Sequence, residues 1–189
     1  MDAVSGVLGA FGLSGAAGLN AYIPLFAVSV LGRTGVIHLG APFDVLTPTW
    51  AIALISVLLV VELVVDKIPG ADHVNDLVQT VIRPAAGALV FAASTGAIKD
   101  MHPAVPVVLG LLMALSVHAA NATARPVVNA TTLGVGAPVV SIAEDLTAAA
   151  ASVVALLAPI LVLVVAVLAG YLAYRLYRRA KRRKQAKAT

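Results

Sequence analysis

The chain has 189 residues, of which 60% are hydrophobic and 12% are charged, and its mean hydropathy is +0.99. A soluble domain of this size could not bury so much apolar surface, so the composition predicts an all-α integral membrane protein. The sequence contains no cysteine, which excludes disulfides, thiolate metal sites and cysteine nucleophiles.

Five hydrophobic segments predict about five transmembrane helices: 4–31, 49–65, 84–98, 104–120 and 146–174. No basic residue precedes the first segment, so we expect it to be retained rather than removed as a signal peptide. The third segment spans only about 22 Å as a helix, whereas the fifth spans about 43 Å, tilts or projects, and is expected to kink at Pro159. Four spans with a re-entrant pair fit the pattern nearly as well.

Eight of the thirteen basic residues follow the fifth segment: Arg175, Arg178, Arg179, Lys181, Arg182, Arg183, Lys184 and Lys187. Basic residues directly after a transmembrane helix favour the cytoplasmic side. The pattern therefore predicts a multi-pass membrane domain at 1–177 and a basic cytoplasmic tail at 178–189, with Arg33 on the same side as the tail. The tail suits anionic lipid headgroups, and nucleic-acid binding is not expected because no folded domain or aromatic platform accompanies the charges.

Polar residues form a stripe just before the third segment. Asp66 and Lys67 come first, and Asp72, Asp76, Gln79 or Thr80 and Arg83 then recur at helical spacing. Pro84 follows Arg83 and is expected to bend or break the helix, because proline removes one backbone hydrogen bond.

A second stretch repeats this pattern, with a stripe of four polar residues that ends near another Arg-Pro step: His118, Asn121, Arg125 and Asn129. A shift of 42 residues places Arg83-Pro84 on Arg125-Pro126. The two stretches therefore form a hypothetical inverted-topology repeat, in which broken helices carry a binding site near the membrane midplane. Chance similarity between two Ala/Val-rich helices is the alternative.

A third polar element, "SIAEDLTA", lies at the start of the last hydrophobic segment. Ser141 is a candidate N-cap, and Glu144, three residues later, is the matching residue of a capping box. Alternatively, Glu144 and Asp145 face Arg83 and Arg125 inside the membrane domain.

The polar stretches contain more acids than bases. Six acids (Glu62, Asp66, Asp72, Asp76, Glu144 and Asp145) stand against three bases (Lys67, Arg83 and Arg125). Within a membrane, the surplus acids must be protonated, hydrated or occupied by a cation. The alternative is an aqueous loop between Asp66 and Asp76. His73 lies between two of these acids, but we expect no metal site there.

Four sequence blocks resemble a bacterial family of small polytopic membrane proteins catalogued as a domain of unknown function: "GLNAYIPLF", "VDKIPGADHVNDLVQTVIRPAAGAL", "VHAANATARPVVN" and "SIAEDLTA". The resemblance covers roughly residues 12–163 and leaves the tail after Tyr177 outside. It implies a helical protein of the inner membrane and supplies no catalytic residues.

No phosphate-binding loop, nucleophile elbow or redox motif occurs, so neither an enzyme nor a cofactor is expected. Two functions remain. The first is an accessory subunit of a larger envelope complex for lipid or solute transport, with membrane lipids and other integral membrane subunits as partners. The second is a small secondary transporter, in which Arg83 and Arg125 hold an anionic group while Asp76, His118 and Glu144 carry protons.

Overall fold

A computed structural model describes residues 3–39, 41–68, 71–95, 102–132 and 136–186, with side chains at all of these except 3, 71–74, 76, 126–132, 173, 176, 177 and 179–186. Seven α-helices make up this part of the chain: α1 (Ala3–Ala17), α2 (Tyr22–Arg33), α3 (Thr49–Val65), α4 (Ala71–Thr95), α5 (Ala104–Thr132), α6 (Gly136–Leu157) and α7 (Pro159–Ala186). A short 3-10 helix, Phe43–Leu46, lies between α2 and α3. The predicted all-α class is confirmed.

Three stretches are long and apolar enough to cross a membrane: Leu77–Thr95 in α4, Ala104–Arg125 in α5 and Gly136–Leu157 in α6. The other four helices contribute shorter apolar stretches. Large hydrophobic side chains remain exposed on the outside of the bundle, such as Leu112 on α5 and Leu157 at the end of α6. An all-helical bundle with this surface is compatible with a membrane protein.

Two of the five predicted segments each divide into two helices, so the predicted count of five is wrong. The first segment breaks between α1 and α2, where the side-chain oxygen of Asn20 accepts the backbone N–H groups of Tyr22 and Ile23 at 3.0 and 3.1 Å. This acceptor satisfies N–H groups that a new helix start leaves without partners. The division also places Arg33 at the end of α2 that is distant from Asn20.

The last segment divides at Ala158, so the predicted kink at Pro159 is a complete break. Proline has no N–H to donate, and it is well tolerated at the first position of a helix. Pro159 occupies that position in α7.

The two predicted breaks at the Arg-Pro steps are absent, because α4 runs through Pro84 and α5 runs through Pro126. Pro84 is buried, and packing against neighbouring helices compensates for its missing hydrogen bond. The helices α4 and α5 run antiparallel, since Thr80 lies beside His118 and Gly87 lies beside Gly110. This direction is the one an inverted repeat requires, and the repeat itself stays a hypothesis.

Small residues let α1, α4 and α5 approach closely. A Cβ atom added to Gly87 would overlap the side chain of Ala114, and one added to Gly18 would lie 2.5 Å from the carbonyl oxygen of Ala114. The Ser14 hydroxyl donates a 2.8 Å hydrogen bond to the carbonyl oxygen of Gly87. Glycine and serine at such contacts are typical of helix packing in membranes, where van der Waals contact drives association.

We predict that Gly87→Ala lowers the free energy of unfolding by about 1–3 kcal/mol, because the new methyl group is forced into a packed contact. The matched control is Gly170→Ala in α7, where an added Cβ meets nothing within 4 Å. Both substitutions gain the same helix propensity, so their difference isolates the steric term. Unfolding in detergent, followed by circular dichroism, measures it. Equal stability of the two variants would contradict the close packing of α4 on α5.

Candidate functional site

Seven charged side chains from four regions of the chain meet near one end of the bundle. We refer to them as the charged cluster: Glu62, Asp66, Lys67, Arg83, Arg125, Glu144 and Asp145. Glu62 lies 13 residues from the distant end of α3, Arg83 lies 12 from that of α4, and Glu144 lies 13 from that of α6. At 1.5 Å per residue, each lies about 18–20 Å from those ends, which is inside a hydrocarbon core about 30 Å thick.

Five members of the cluster alternate in sign and form what we call the alternating row: Glu62, Arg83, Glu144, Arg125 and Asp66. Arg125 donates two hydrogen bonds to the Glu144 carboxylate, at 3.0 and 2.5 Å, and lies 3.3 Å from Asp66. Arg83 lies 3.5 Å from Glu62 and 3.9 Å from Glu144. The row joins α3, α4, α5 and α6, because each of these helices or its end carries at least one member.

Asp66 receives two further hydrogen bonds. The Ser141 hydroxyl donates to it at 2.5 Å, and the Asn75 amide donates at 3.3 Å. Ser141 therefore does not cap a helix, and the predicted capping box with Glu144 is wrong. The reason is that α6 begins at Gly136, so both residues lie inside the helix and face its neighbours. The alternative prediction, that Glu144 faces Arg83 and Arg125, is confirmed.

Lys67 and Asp145 form a separate ion pair beside the alternating row, with 2.8 Å between Nζ and Oδ2. Lys67 also donates to the backbone carbonyl of Leu63 at 2.8 Å, and the Asn20 amide donates to Asp145 at 2.9 Å. Asn20 therefore links the start of α2 to α6. It was missing from the predicted site, and its only sequence signal is a lone amide within an apolar run.

His118 and Asn121 lie on α5 beside the cluster rather than within it. The Nε2 atom of buried His118 lies 3.2 Å from the Thr80 hydroxyl of α4. The amide nitrogen of Asn121 is buried and has no hydrogen-bond partner among the described residues. The predicted members Asp72, Asp76 and Asn129 have side chains outside the described residues.

Four acids and three bases make up the charged cluster, so one acid is in surplus among the described side chains. Asp66 is 5% exposed and Glu62 is 3% exposed. Because α4 already begins at Ala71 and Asp66 is buried, the proposed aqueous loop between Asp66 and Asp76 is wrong. Over the described residues, no group of three His, Cys, Asp or Glu side chains is placed to hold a metal ion.

Two buried acceptors near the row receive no hydrogen bond within the described part of the chain. They are the Glu62 carboxylate, both of whose oxygens lack a donor, and the amide oxygen of Gln79, one helical turn before Arg83. Sequence analysis counted Glu62 among the charges without assigning it to the site. The only signal was an acid within an apolar helix, where a charge requires a partner or a function.

Comparison with known proteins gives one match. A family model described as "Domain of unknown function (DUF4126)" matches residues 7–179. The matched region thus begins before, and ends after, the 12–163 expected from the sequence blocks, and it includes two residues beyond Tyr177. No curated protein and no solved structure matches the chain.

The buried pair of Arg125 and Glu144 provides a test of how the cluster supports the fold. Arg125→Gln and Glu144→Gln should each destabilise the protein by about 3–5 kcal/mol, because each leaves a buried charge without its partner. The double variant should lose much less than the sum of the two. Unfolding in detergent measures the coupling, and coupling near zero would contradict this role.

The matched control is the pair of Lys67 and Asp145, whose side chains are 31% and 15% exposed. Solvent screens this pair, so a double-variant cycle of Lys67→Met and Asp145→Asn should give a coupling below about 1 kcal/mol.

Proposed function

The chain belongs to the DUF4126 family, and because that family has no assigned function we propose one from the geometry of the helices. The protein is a non-enzymatic, multi-pass protein of the bacterial inner membrane. It acts as an accessory subunit of a larger envelope complex that transports lipids or solutes, and its basic C-terminal tail lies in the cytoplasm.

The helix α7 carries this proposal, because it leaves the bundle after its first turn. Pro159 and Val162 lie near Gly9 and Gly12 of α1, but every residue from 163 to 172 is exposed. An apolar helix that is exposed on all sides offers its whole circumference to another membrane helix.

The exposed part of α7 also has a surface suited to helix packing. Ala166 and Gly170 are four residues apart, the spacing of small residues that lets two transmembrane helices approach closely. An added Cβ at Gly170 would meet nothing within 4 Å, so this surface is unused within the chain. Arg175 and Arg178 follow on the same helix and are exposed, so the tail is accessible to a cytoplasmic partner.

The positive-inside rule supports the orientation. The helix α7 starts parallel to α1, since Pro159 lies near Gly9 and Val162 near Gly12. Its basic end is therefore directed toward the end of the bundle that carries the charged cluster. Arg33 lies at the opposite end, beside the backbone of Thr47. Eight basic residues in the tail outweigh this single arginine, so we place the cluster end toward the cytoplasm.

A cysteine-free chain allows a direct test of this orientation. We predict that Asp44→Cys, in the exposed connection between α2 and α3, reacts with a membrane-impermeant maleimide in intact spheroplasts. Thr189→Cys should react only after permeabilisation, because the membrane protects the cytoplasmic tail. Full labelling of both sites after permeabilisation is the control. The reverse pattern would contradict the orientation.

The accessory role is tested by purification of the tagged protein in gentle detergent, followed by mass spectrometry. We predict stoichiometric recovery of the permease or ATPase subunits of one transporter. Gly170→Leu should reduce that recovery at least tenfold, which corresponds to about 1.4 kcal/mol. It should not change the stability of the isolated chain, because nothing within the chain contacts this position.

The matched control is Val165→Leu, which enlarges an exposed residue on another part of α7 and should retain the partner. Recovery of the chain alone, or only with further copies of itself, would contradict the accessory role.

A second candidate function is a self-contained secondary transporter, and the alternating row favours it. Ionisable residues buried within membrane helices mark substrate and proton paths in many transporters. Here Arg83 and Arg125 hold an anionic group, while His118, Glu144 and Asp76 carry protons. Proton flux across liposomes that contain only this chain, followed with a pH-sensitive dye, would support this candidate over the first.

A further inference from the structure

Glu62 differs from the other three carboxylates of the charged cluster because no described donor forms a hydrogen bond to it. Asp66 receives hydrogen bonds from Ser141, Asn75 and Arg125. Glu144 receives two from Arg125, and Asp145 receives one each from Lys67 and Asn20. Glu62 is also the most deeply buried of the four, at 3% exposure.

The contact with Arg83 does not provide the missing hydrogen bond. The nearest approach between the two side chains is 3.5 Å, from Nη2 of Arg83 to Oε1 of Glu62. Charge-assisted hydrogen bonds between such groups are typically about 2.7–2.9 Å long. Arg83 lies at a similar distance, 3.9 Å, from Glu144. The guanidinium group is therefore shared loosely between two carboxylates and is not committed to either.

Charge balance along the alternating row identifies Glu62 as the surplus acid. The row contains three acids and two bases, and 3 − 2 leaves one carboxyl group uncompensated. A buried ionised carboxylate without donors is strongly unfavourable, whereas a protonated carboxyl group is neutral. Glu62 occupies one end of the row and lacks donors, while Asp66 at the other end has three. The neutral form is therefore assigned to Glu62.

We propose that Glu62 is a proton-binding site within the membrane domain, and that its carboxyl group is protonated in the arrangement described above. The remaining row is then neutral, since Arg83 is balanced by Glu144 and Arg125 by Asp66. Gln79, whose buried amide oxygen lacks a donor, lies one turn from Arg83 on the same face of α4 and is an acceptor of the kind a carboxylic acid requires. This assignment goes beyond the accessory role and does not depend on what α7 binds.

The surroundings of Glu62 favour the proton on balance. The charged or titratable side chains that face it are Arg83 of α4, Tyr22 of α2, Asp145 and Glu144 of α6, and Asp66 one turn further along its own chain. Among these, only Arg83 favours the ionised form, and Glu144 competes for the same guanidinium. The acids Asp66 and Asp145 oppose ionisation by charge repulsion.

Release of the proton has a structural consequence. An ionised Glu62 attracts Arg83 away from Glu144, which tightens the tie between α3 and α4 and weakens the tie between α4 and α6. Glu62 thus couples a proton to the packing of these helices, and an effect of this kind requires a group whose two states differ in their contacts.

The sequence offers a sharp test, because Glu62 and Glu144 are its only two glutamates. Protein labelled with 13C at the glutamate δ-carboxyl and reconstituted in nanodiscs should give two carboxyl resonances by NMR. At neutral pH we expect one at the position of a protonated acid and one at that of an ionised carboxylate. This result needs no variant, and two ionised carboxylates at neutral pH would overturn the proposal.

Two variants assign the resonances. Glu62→Gln should remove the protonated signal and keep the ionised one, and Glu144→Gln should do the reverse. Survival of the protonated signal in Glu62→Gln would also overturn the proposal.

Stability gives an independent readout. Glutamine resembles a protonated glutamate, so Glu62→Gln should keep the wild-type melting temperature at neutral pH, unlike Glu144→Gln. Because the folded state binds the proton more tightly than the unfolded chain, wild-type stability should fall as the pH rises through the range where Glu62 ionises. Glu62→Gln should lack this fall, and a large loss of stability in Glu62→Gln at neutral pH would contradict the assignment.

Discussion

The pairing of Arg125 with Glu144 is the constraint on which the arrangement of the bundle depends. A guanidinium group and a carboxylate cannot lie singly among apolar helices, because the unpaired charges would cost several kcal/mol. Their two hydrogen bonds fix α5 against α6. Asp66 and Arg83 then extend this pair toward α3 and α4, so one row of charges sets the relative position of four helices.

Close packing on the apolar side of the cluster complements this polar constraint. Glycines such as Gly18 and Gly87 let α1, α4 and α5 approach until backbone atoms nearly touch. At such distances the polar groups of the row are held within hydrogen-bonding range, and water has little room to compete. The apolar contacts and the ion pairs therefore stabilise the same arrangement, which is the consistency expected of a well-specified fold.

The two proposed roles use different parts of the molecule. The helix α7 projects from the bundle and supports association with another membrane protein, while Glu62 and Arg83 lie inside the bundle and support the binding of a proton. An accessory subunit with an internal proton site would sense the cytoplasmic or membrane environment and transmit it through helix packing. A transporter would use the same proton to move a substrate.

Composition and spacing alone determined the class of the protein, its helical content and most of the charged cluster. Charges within apolar sequence are few and must find partners, so Arg83, Arg125 and Glu144 could be identified before any contact was known. Only the tertiary structure decided where helices begin and end, because Asn20 starts α2 by a local hydrogen bond and packing carries α4 through Pro84. It also decided which acid lacks a donor, since the isolation of Glu62 depends on distances between helices that no sequence pattern records.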